Sequence, residues 1–512
     1  MNAAFTFAPQ RFSCLSVLFS LAVLAGGVVP AMGASPSVPA STTPKAHTIP
    51  PHYSKIAIPV TTYEAPFPGD AHVDLGGGAT AFLVSDSTLD LVRFYLFATG
   101  PQMPSKPEDV VRQRMYSALL KDGGTRALTP AQLEDSLEFI AAGLGATRGA
   151  WQGEAWFDVL SKDAPAMLNL MADVLLRPRL DGDVFKVMQR GMVEGYKHRY
   201  ATPGAVLGAA AERVMQGGHP ANWSVSEGEL KGVTPKALQP LVGTGFTRDR
   251  LVIGVAGRFD REAMTSALKS FVAQFPASAP ASVVPPFKGP RAPGVYLVDK
   301  PFTQASIRLA APGVQRPHPD YYRLLVASEI FGGGGFTSRL SQRVRSDEGL
   351  AYTVSSDVES DYKRRGTAHV TLQTKAETGA YAIRIILDEM RRMAATDSTG
   401  GITDAELARA KDGLIKSLPA LFDSPAATAR TFAQSAAWGR PPEHFRNYRQ
   451  ALETMTRAEV EDAFRRYFLA DSMRVIVVGP KAYLMKPDTR GLSLTDYGTV
   501  VEISEEELDR RE

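Results

Sequence analysis

Thiols are almost absent: Cys14 is the only cysteine in 512 residues. It stands at the front of an N-terminal stretch in which Arg11 precedes the apolar run Leu15 to Val29, followed by Ala31-Met32-Gly33-Ala34. A charged start, an apolar run too short for a membrane span and an A-x-A-like end describe a cleaved signal peptide over residues 1–33. Cleavage there removes the sole thiol. The mature chain is then expected to be exported, into a bacterial periplasm, free of the membrane, with no disulfide, no thiolate metal ligand and no cysteine nucleophile. Imidazoles are scarce as well. The histidines are His47, His52, His72, His198, His219, His318, His369 and His444, and their spacing contains neither H-E-x-x-H nor H-x-x-E-H. No helix therefore offers two imidazoles one turn apart to a single ion, no metal ligand is assigned, and no cofactor is expected on this chain.

Other catalytic signatures are missing too. There is no G-x-S-x-G elbow, and Ser266-x-x-Lys269 lacks a K-T-G partner; its spacing of three only places the two side chains on one helix face. The glycine run 332–335 is not followed by Gly-Lys-Ser/Thr, so it reads as a helix end that lets backbone approach closely rather than as a phosphate cradle. Charge of one sign is also absent. With 57 Lys and Arg against 54 Asp and Glu, a net charge of +3 and no basic block, nothing suggests a nucleic-acid partner.

What is present is a large, ordinary hydrophobic complement, 44% of the chain, enough for two or three full cores. Two Pro-, Ser- and Thr-rich stretches punctuate it, a lead-in over 34–51 and a linker over 277–293. They delimit an N-terminal domain at 52–276 and a C-terminal domain at 294–485. A tail, 486–512, ends in acidic residues and is expected to be solvated or to dock elsewhere. The two domains echo each other. Arg250-Leu-Val-Ile-Gly-Val-Ala-Gly257 and Met473-Arg-Val-Ile-Val-Val-Gly479 are apolar runs closed by glycines 222 residues apart. Each follows a helix-like stretch opened by a cap, Thr234-Pro235 in one and Thr456-x-x-Glu459 in the other. Alternation in Ala368-His-Val-Thr-Leu-Gln-Thr374 describes a half-buried strand. Residues 90–99, 294–300 and 305–310 are strand-like, and Tyr321 to Phe331 and Thr403 to Lys416 carry helical spacing. The expectation is an α+β protein of two related domains, each a largely antiparallel sheet covered by helices on one face.

One segment is distinctive: Phe336-Thr-Ser-Arg-Leu-Ser-Gln-Arg-Val-Arg345-Ser-Asp-Glu-Gly-Leu-Ala-Tyr352. Its Ser-Arg-Leu, then Arg, then Gly-Leu-x-Tyr resembles the second domain of the insulinase/pitrilysin metallopeptidases, the inverted zincins. Gln304, Arg316-Pro-His-Pro-Asp320, the glycine run and the two glycine-ended strands extend the resemblance to about residues 55–485. The resemblance implies a zinc site built from H-x-x-E-H on a helix of the first domain plus a downstream Glu, with Arg and Tyr supplied by the other domain or chain. Here the corresponding helix, Val110 to Asp122, holds Arg112, Arg114 and Lys121 and no histidine, and Glu194 alone stands near the third ligand's place. By resemblance, Arg345 and Tyr352 are the site residues, acting in trans to a partner's zinc, while Arg339 is structural. Arginine and a phenol can donate hydrogen bonds to a carbonyl that is becoming an oxyanion, but they cannot generate the nucleophile. The expectation is a zinc-less Arg/Tyr subunit of a two-chain peptidase, similar to the non-catalytic subunit of mitochondrial processing peptidase. Its partners would be a zinc-bearing family member and an unfolded peptide, the latter able to pair with an edge strand near residues 350–360. An inactive peptide holder or assembly scaffold is the alternative, and a self-sufficient zinc protease with rearranged ligands is a third reading.

Overall fold

The computed structural model describes residues 63–511 apart from 101, 281, 398 and 399. The expected signal peptide and lead-in lie outside the described residues. The first half runs β1 (His72–Gly76), β2 (Ala79–Ser85), β3 (Leu91–Ala98), α1 (Pro107–Asp122), α2 (Pro130–Phe139), β4 (Gly143–Arg148), β5 (Gly153–Leu160), α3 (Ala164–Leu176), α4 (Gly182–Lys197), α5 (Pro203–Gln216), α6 (Glu227–Gly232), β6 (Leu251–Gly257) and α7 (Arg261–Ala273). The second half runs β7 (Gly294–Asp299), β8 (Gln304–Pro312), α8 (Tyr321–Ser328), β9 (Ala351–Val358), β10 (Thr367–Lys375), α9 (Gly379–Ala394), α10 (Asp404–Ser417), α11 (Pro425–Ala437), α12 (His444–Thr454), α13 (Arg457–Tyr467) and β11 (Arg474–Gly479). The tail then adds α14 (Lys481–Leu484), β12 (Val500–Glu502) and α15 (Glu505–Leu508).

The two sheets have matching orders, β1-β2-β6-β3-β5-β4 and β12-β7-β11-β8-β10-β9. In each, the glycine-ended strand lies between a parallel and an antiparallel neighbour: β6 between β2 and β3, β11 between β7 and β8. The strands are largely antiparallel, and each sheet buries one face under its own helices. Met115 and Leu119 of α1, Met171 of α3 and Leu268 of α7 close the first core, and Leu324 of α8, Ile386 of α9 and Phe464 of α13 the second. Two stretches differ from the sequence reading. The residues after Thr234 form a 3-10 turn, Pro235–Leu241, because Pro240 denies an α-helix its interior donor. The stretch Tyr321 to Phe331 is α-helical only to Ser328 and then widens into a π-turn, Glu329–Gly333.

The opposite faces are not left to solvent, as helices on one face alone would have it. Each half lends a helix to the other. Val206, Ala210 and Val214 of α5 bury against Tyr296, Val298, Ala310, Ile476 and Val478 of the second sheet. Reciprocally, Ala426 and Ala429 of α11 pack on Ala256, and Phe432 and Ala433 on Phe82 and Phe97, of the first sheet. Pro203 and Pro425, which open the two helices, stand 222 residues apart like the paired glycines. The fit of α11 is tight because its face is alanine and the strand beneath it has a glycine: a Cβ on Gly254 would sit 2.5 Å from the Ala429 carbonyl oxygen.

The C-terminal tail docks, the second of the two readings its acidic end allowed. Strand β12 adds in parallel to β7 and fills the edge position that β1 fills in the first sheet. Ile503 and Leu508 then bury with α5, and Asp509 accepts hydrogen bonds from Arg199 (2.7 Å) and Tyr200 (2.9 Å) of the first half. Arg511 pairs with Glu229, and Arg291 with Glu507. The stretch 277–293 contains no described helix or strand, yet it is held down: Phe287 stacks on His219 with ring centroids 3.7 Å apart, and the Arg291 amide donates to the Val214 carbonyl. Burial of the His219 ring lowers its pKa and keeps it neutral in this stack.

Replacing Gly254 with Val should force α11 off the first sheet and lower the unfolding free energy by about 2–3 kcal/mol. Gly191→Ala on α4, whose added Cβ meets nothing within 4 Å, should raise it by roughly 0.5–1 kcal/mol. Denaturant midpoints of the two variants check the pair.

Candidate functional site

The segment joining α8 to β9 is built from irregular helical turns around the glycine run. Gly332 presses on β9, where a Cβ would come within 2.5 Å of the Ser356 amide nitrogen, so the close backbone approach read from the sequence is observed. Gly335, at φ +59°, turns the chain into Phe336. A second π-turn, Ser341–Asp347, carries Arg345, and β9 follows with Tyr352 at its second position. Wide π-turns recur at functional sites because they displace one residue outward from the helical register.

Arg345 and Tyr352 meet. The Arg345 guanidinium lies 4.8 Å from the centroid of the Tyr352 ring and 4.5 Å from that of Phe336, a cation held between two rings. Both rings are open to solvent, Tyr352 at 80% and Phe336 at 72% exposure. The register of β9 explains why. Leu372 of β10 pairs with Val354 and Thr374 with Ala351, so β9 carries one extra residue, and this bulge turns Tyr352 and Thr353 out of the alternation. Arg345 makes no ion pair among the described residues; the nearby carboxylates of Asp347 and Glu348 face Arg343 instead, at 3.7 and 3.3 Å. An exposed cation–π contact is worth only about 0.5–1 kcal/mol, so this cluster contributes little to folding and leaves guanidinium donors free. Strand β9 is the outermost strand of its sheet, and its outward backbone edge has no strand partner among the described residues. Phe336 is the member that residue-type reasoning missed; its place beside the glycine run was the available signal.

Arg339 has the opposite environment. Nearly buried, it donates to Glu406 through Nε (2.6 Å) and Nη2 (2.8 Å) and to the Gly401 carbonyl, and it faces Glu389 at 3.5 Å. Burial pushes the Glu406 carboxyl up, but hydrogen bonds from Arg339 and Thr403 outweigh it and bring the pKa down to about 2. Glu389 is moved the other way by burial. Arg339 thus ties the start of the site segment to α9 and α10.

Among the described residues, the first half presents no cluster able to hold zinc. The inward side of α1 is Val110, Val111, Met115, Tyr116, Leu119 and Leu120, all apolar except for one phenol. Arg112 pairs with Asp109, Lys121 with Glu134, and Arg114 donates to the Trp223 carbonyl. Glu194 points to solvent and bonds Lys197 and His198 on its own helix. Among the described residues no three His, Cys, Asp or Glu side chains gather as a metal-holding group. The donor set therefore does not fit a zinc ion, and no catalytic step on this chain is derived through one.

Comparisons with known proteins agree with this architecture. Residues 232–414 match the family model described as Peptidase M16 inactive domain. An uncharacterized zinc protease of Bacillus subtilis is 25% identical over 304 residues, covering 59% of this chain and 72% of that protein. One from Mycobacterium bovis is 27% identical over 330 residues, 63% of this chain and 73% of its own. A probable mitochondrial-processing peptidase subunit beta of Arabidopsis thaliana is 26% identical over 327 residues, 58% and 57% of the two chains. The crystal structure of a peptidase M16 inactive domain from Pseudomonas fluorescens superposes with a TM-score of 0.70 at 22% identity, covering 80% of this chain and 97% of that one. The fold is that of the M16 inactive-domain structure, and the family match lies in the segment that joins the two halves and builds most of the second sheet. Residues 232–414 thus resemble an M16 inactive domain, and the bacterial relatives that match the chain carry zinc-protease names.

Arg339→Ala, which removes the buried cation from between Glu389 and Glu406, should lower the unfolding free energy by about 3 kcal/mol at neutral pH, whereas Arg345→Ala and Tyr352→Ala should each change it by less than about 1 kcal/mol. Glu406 titrates at 4.5 in the unfolded chain and about 2 when folded. Its contribution is complete above 4.5 and is lost as pH falls toward 2, so the Arg339→Ala deficit should shrink over that window in acid-dependent unfolding curves.

Proposed function

We propose that this chain is the Arg/Tyr subunit of an exported two-chain peptidase. The observation that carries the reading is the exposed Arg345–Tyr352 pair, free of carboxylates, at the start of an open edge strand in a molecule whose metal helix holds no ligands. An unfolded peptide pairs its backbone with the outer edge of β9, and the main-chain hydrogen bonds hold it without regard to sequence. Arg345 and Tyr352 then donate hydrogen bonds to the peptide carbonyl as negative charge develops on its oxygen. The zinc and the general base belong to a partner chain of the same family. The subunit designation of the Arabidopsis relative supports an assembled enzyme, and the zinc-protease names of the bacterial relatives support a partner of that kind. The signal-like N-terminus supports export, and the described residues contain no helix long and apolar enough to cross a membrane.

The test is reconstitution. The purified chain is mixed with a zinc-bearing relative from the same source, and cleavage of an unfolded peptide is followed. Activity should require both chains, and Arg345→Ala or Tyr352→Phe should lower kcat/KM by about 10²–10³. A partner equally active alone, or variants without effect, would leave the inactive peptide holder as the function. Stoichiometric zinc in this chain purified without chelator would overturn both readings.

A further inference from the structure

At the other end of β9 lies a second cationic group that the Arg/Tyr site does not use. The guanidinium of Arg316, in the loop between β8 and α8, stacks 4.5 Å from the ring centroid of Tyr321 and 4.8 Å from that of Tyr362, which lies in the turn between β9 and β10. The Arg440 guanidinium, from the loop between α11 and α12, approaches the same Tyr362 ring at 5.5 Å and rests on Trp438 at 4.4 Å. Tyr322 and Tyr448 continue the aromatic wall, their centroids 5.3 Å apart. All of these side chains are half-buried, so they line a surface basin rather than a core.

Two guanidiniums gathered around one phenol repel each other. Neither arginine makes an ion pair with a carboxylate among the described residues. Arg316 donates to the Ser360 carbonyl, and the Arg440 Nε is buried without a hydrogen-bond partner. The acidic side chains nearby turn elsewhere: Asp361 accepts from the Lys363 amide and faces Arg364, Asp357 accepts from the Val358 amide, and burial raises the pKa of Glu329. His444 adds no third charge, since burial and the two arginines press its pKa down to about 3. Burial likewise raises the pKa values of Tyr321, Tyr322 and Tyr448, which remain neutral hydrogen-bond donors. A basin with several phenols and two cations, neither ion-paired with a carboxylate among the described residues, is complementary to a carboxylate.

We propose that Arg316 and Arg440 bind a carboxylate carried by the peptide that lies along β9, at the end of the strand away from Tyr352. This rests on the peptide-binding reading above and adds a substrate preference to it. From Tyr352 to Val358 the strand spans about 20 Å at roughly 3.3 Å per residue, so an extended peptide of about seven residues reaches both sites. The carboxylate is either an acidic side chain or the peptide's C-terminus.

Fluorescence anisotropy with labelled ten-residue unfolded peptides tests this on the full chain. One series moves a single Glu along the peptide against the matching Gln; another compares a free C-terminal carboxylate with its amide. Wild-type protein should prefer the charged member of at least one pair by about tenfold, the worth of one charge-assisted hydrogen bond. Arg440→Gln and Arg316→Gln should bring that preference within about twofold while leaving the neutral peptides' affinity unchanged, and Arg440→Lys should retain part of it. Preference in the Glu series identifies an acidic side chain, and preference in the other series identifies the terminus. Equal binding of every charged and neutral pair by wild type overturns the carboxylate site but leaves the peptide-binding reading intact. Absence of binding by all peptides overturns both. The wild-type comparison decides even where an arginine variant fails to fold.

Discussion

The reciprocal exchange of helices between the halves is the contact on which the rest of this molecule depends. A mixed sheet with helices on one face alone leaves an apolar second face, and here each half covers the other's, α5 on the second sheet and α11 on the first. Three fully buried side chains of α5 alone, Val206, Ala210 and Val214, commit the halves to one another by several kcal/mol, at about 1.5–3 kcal/mol for each valine. Neither half could leave without exposing its partner's strands. The tail reinforces this bond, since Ile503 and Leu508 seal the outer side of α5 and Asp509 reaches Arg199 and Tyr200 across the junction.

That arrangement determines which strands remain available. The borrowed helices cover the interior strands β6, β2 and β11, β8, while one edge of each sheet is filled by β1 or β12. The other edge, β4 in one half and β9 in the other, stays open. The related halves thus present two candidate edges, and the two differ. Beside β4, α1 turns Val110, Met115 and Leu119 inward and carries no metal ligand; beside β9, the glycine run and the bulge hold Phe336, Arg345 and Tyr352 outward. The half with exposed polar donors beside its open edge is the half whose segment stands clear of the core.

Much of this was legible in the residues. The glycines at 257 and 479 and the alternation in 368–374 foretold two related sheets, and the Arg345 to Tyr352 spacing pointed to a pair that the fold does bring together. That Val110 to Asp122 carries no histidine is a matter of residue type and needed no fold. Other features had no local signature. Arg339 and Arg345 lie six residues apart in one segment, but only the positions of Glu389 and Glu406 on distant helices separate a buried tie from a free donor. The acidic tail could be read only as solvated or docking, because its partners, Arg199, Tyr200, Arg213 and Arg291, lie hundreds of residues away.

What the sequence by itself determined was chemical inventory and period: no thiol beyond Cys14, no paired imidazoles, helical and strand spacing, and a twofold repeat. These are properties of single residues and of neighbours a few positions apart, where side-chain type and backbone geometry are enough. Tertiary structure alone decided that α5 and α11 change places, that β12 closes an edge, and that Arg316 and Arg440 converge on Tyr362 without a carboxylate. Such facts depend on which surfaces are mutually buried. Burial and charge pairing are set by the whole packed arrangement, so no local pattern encodes them.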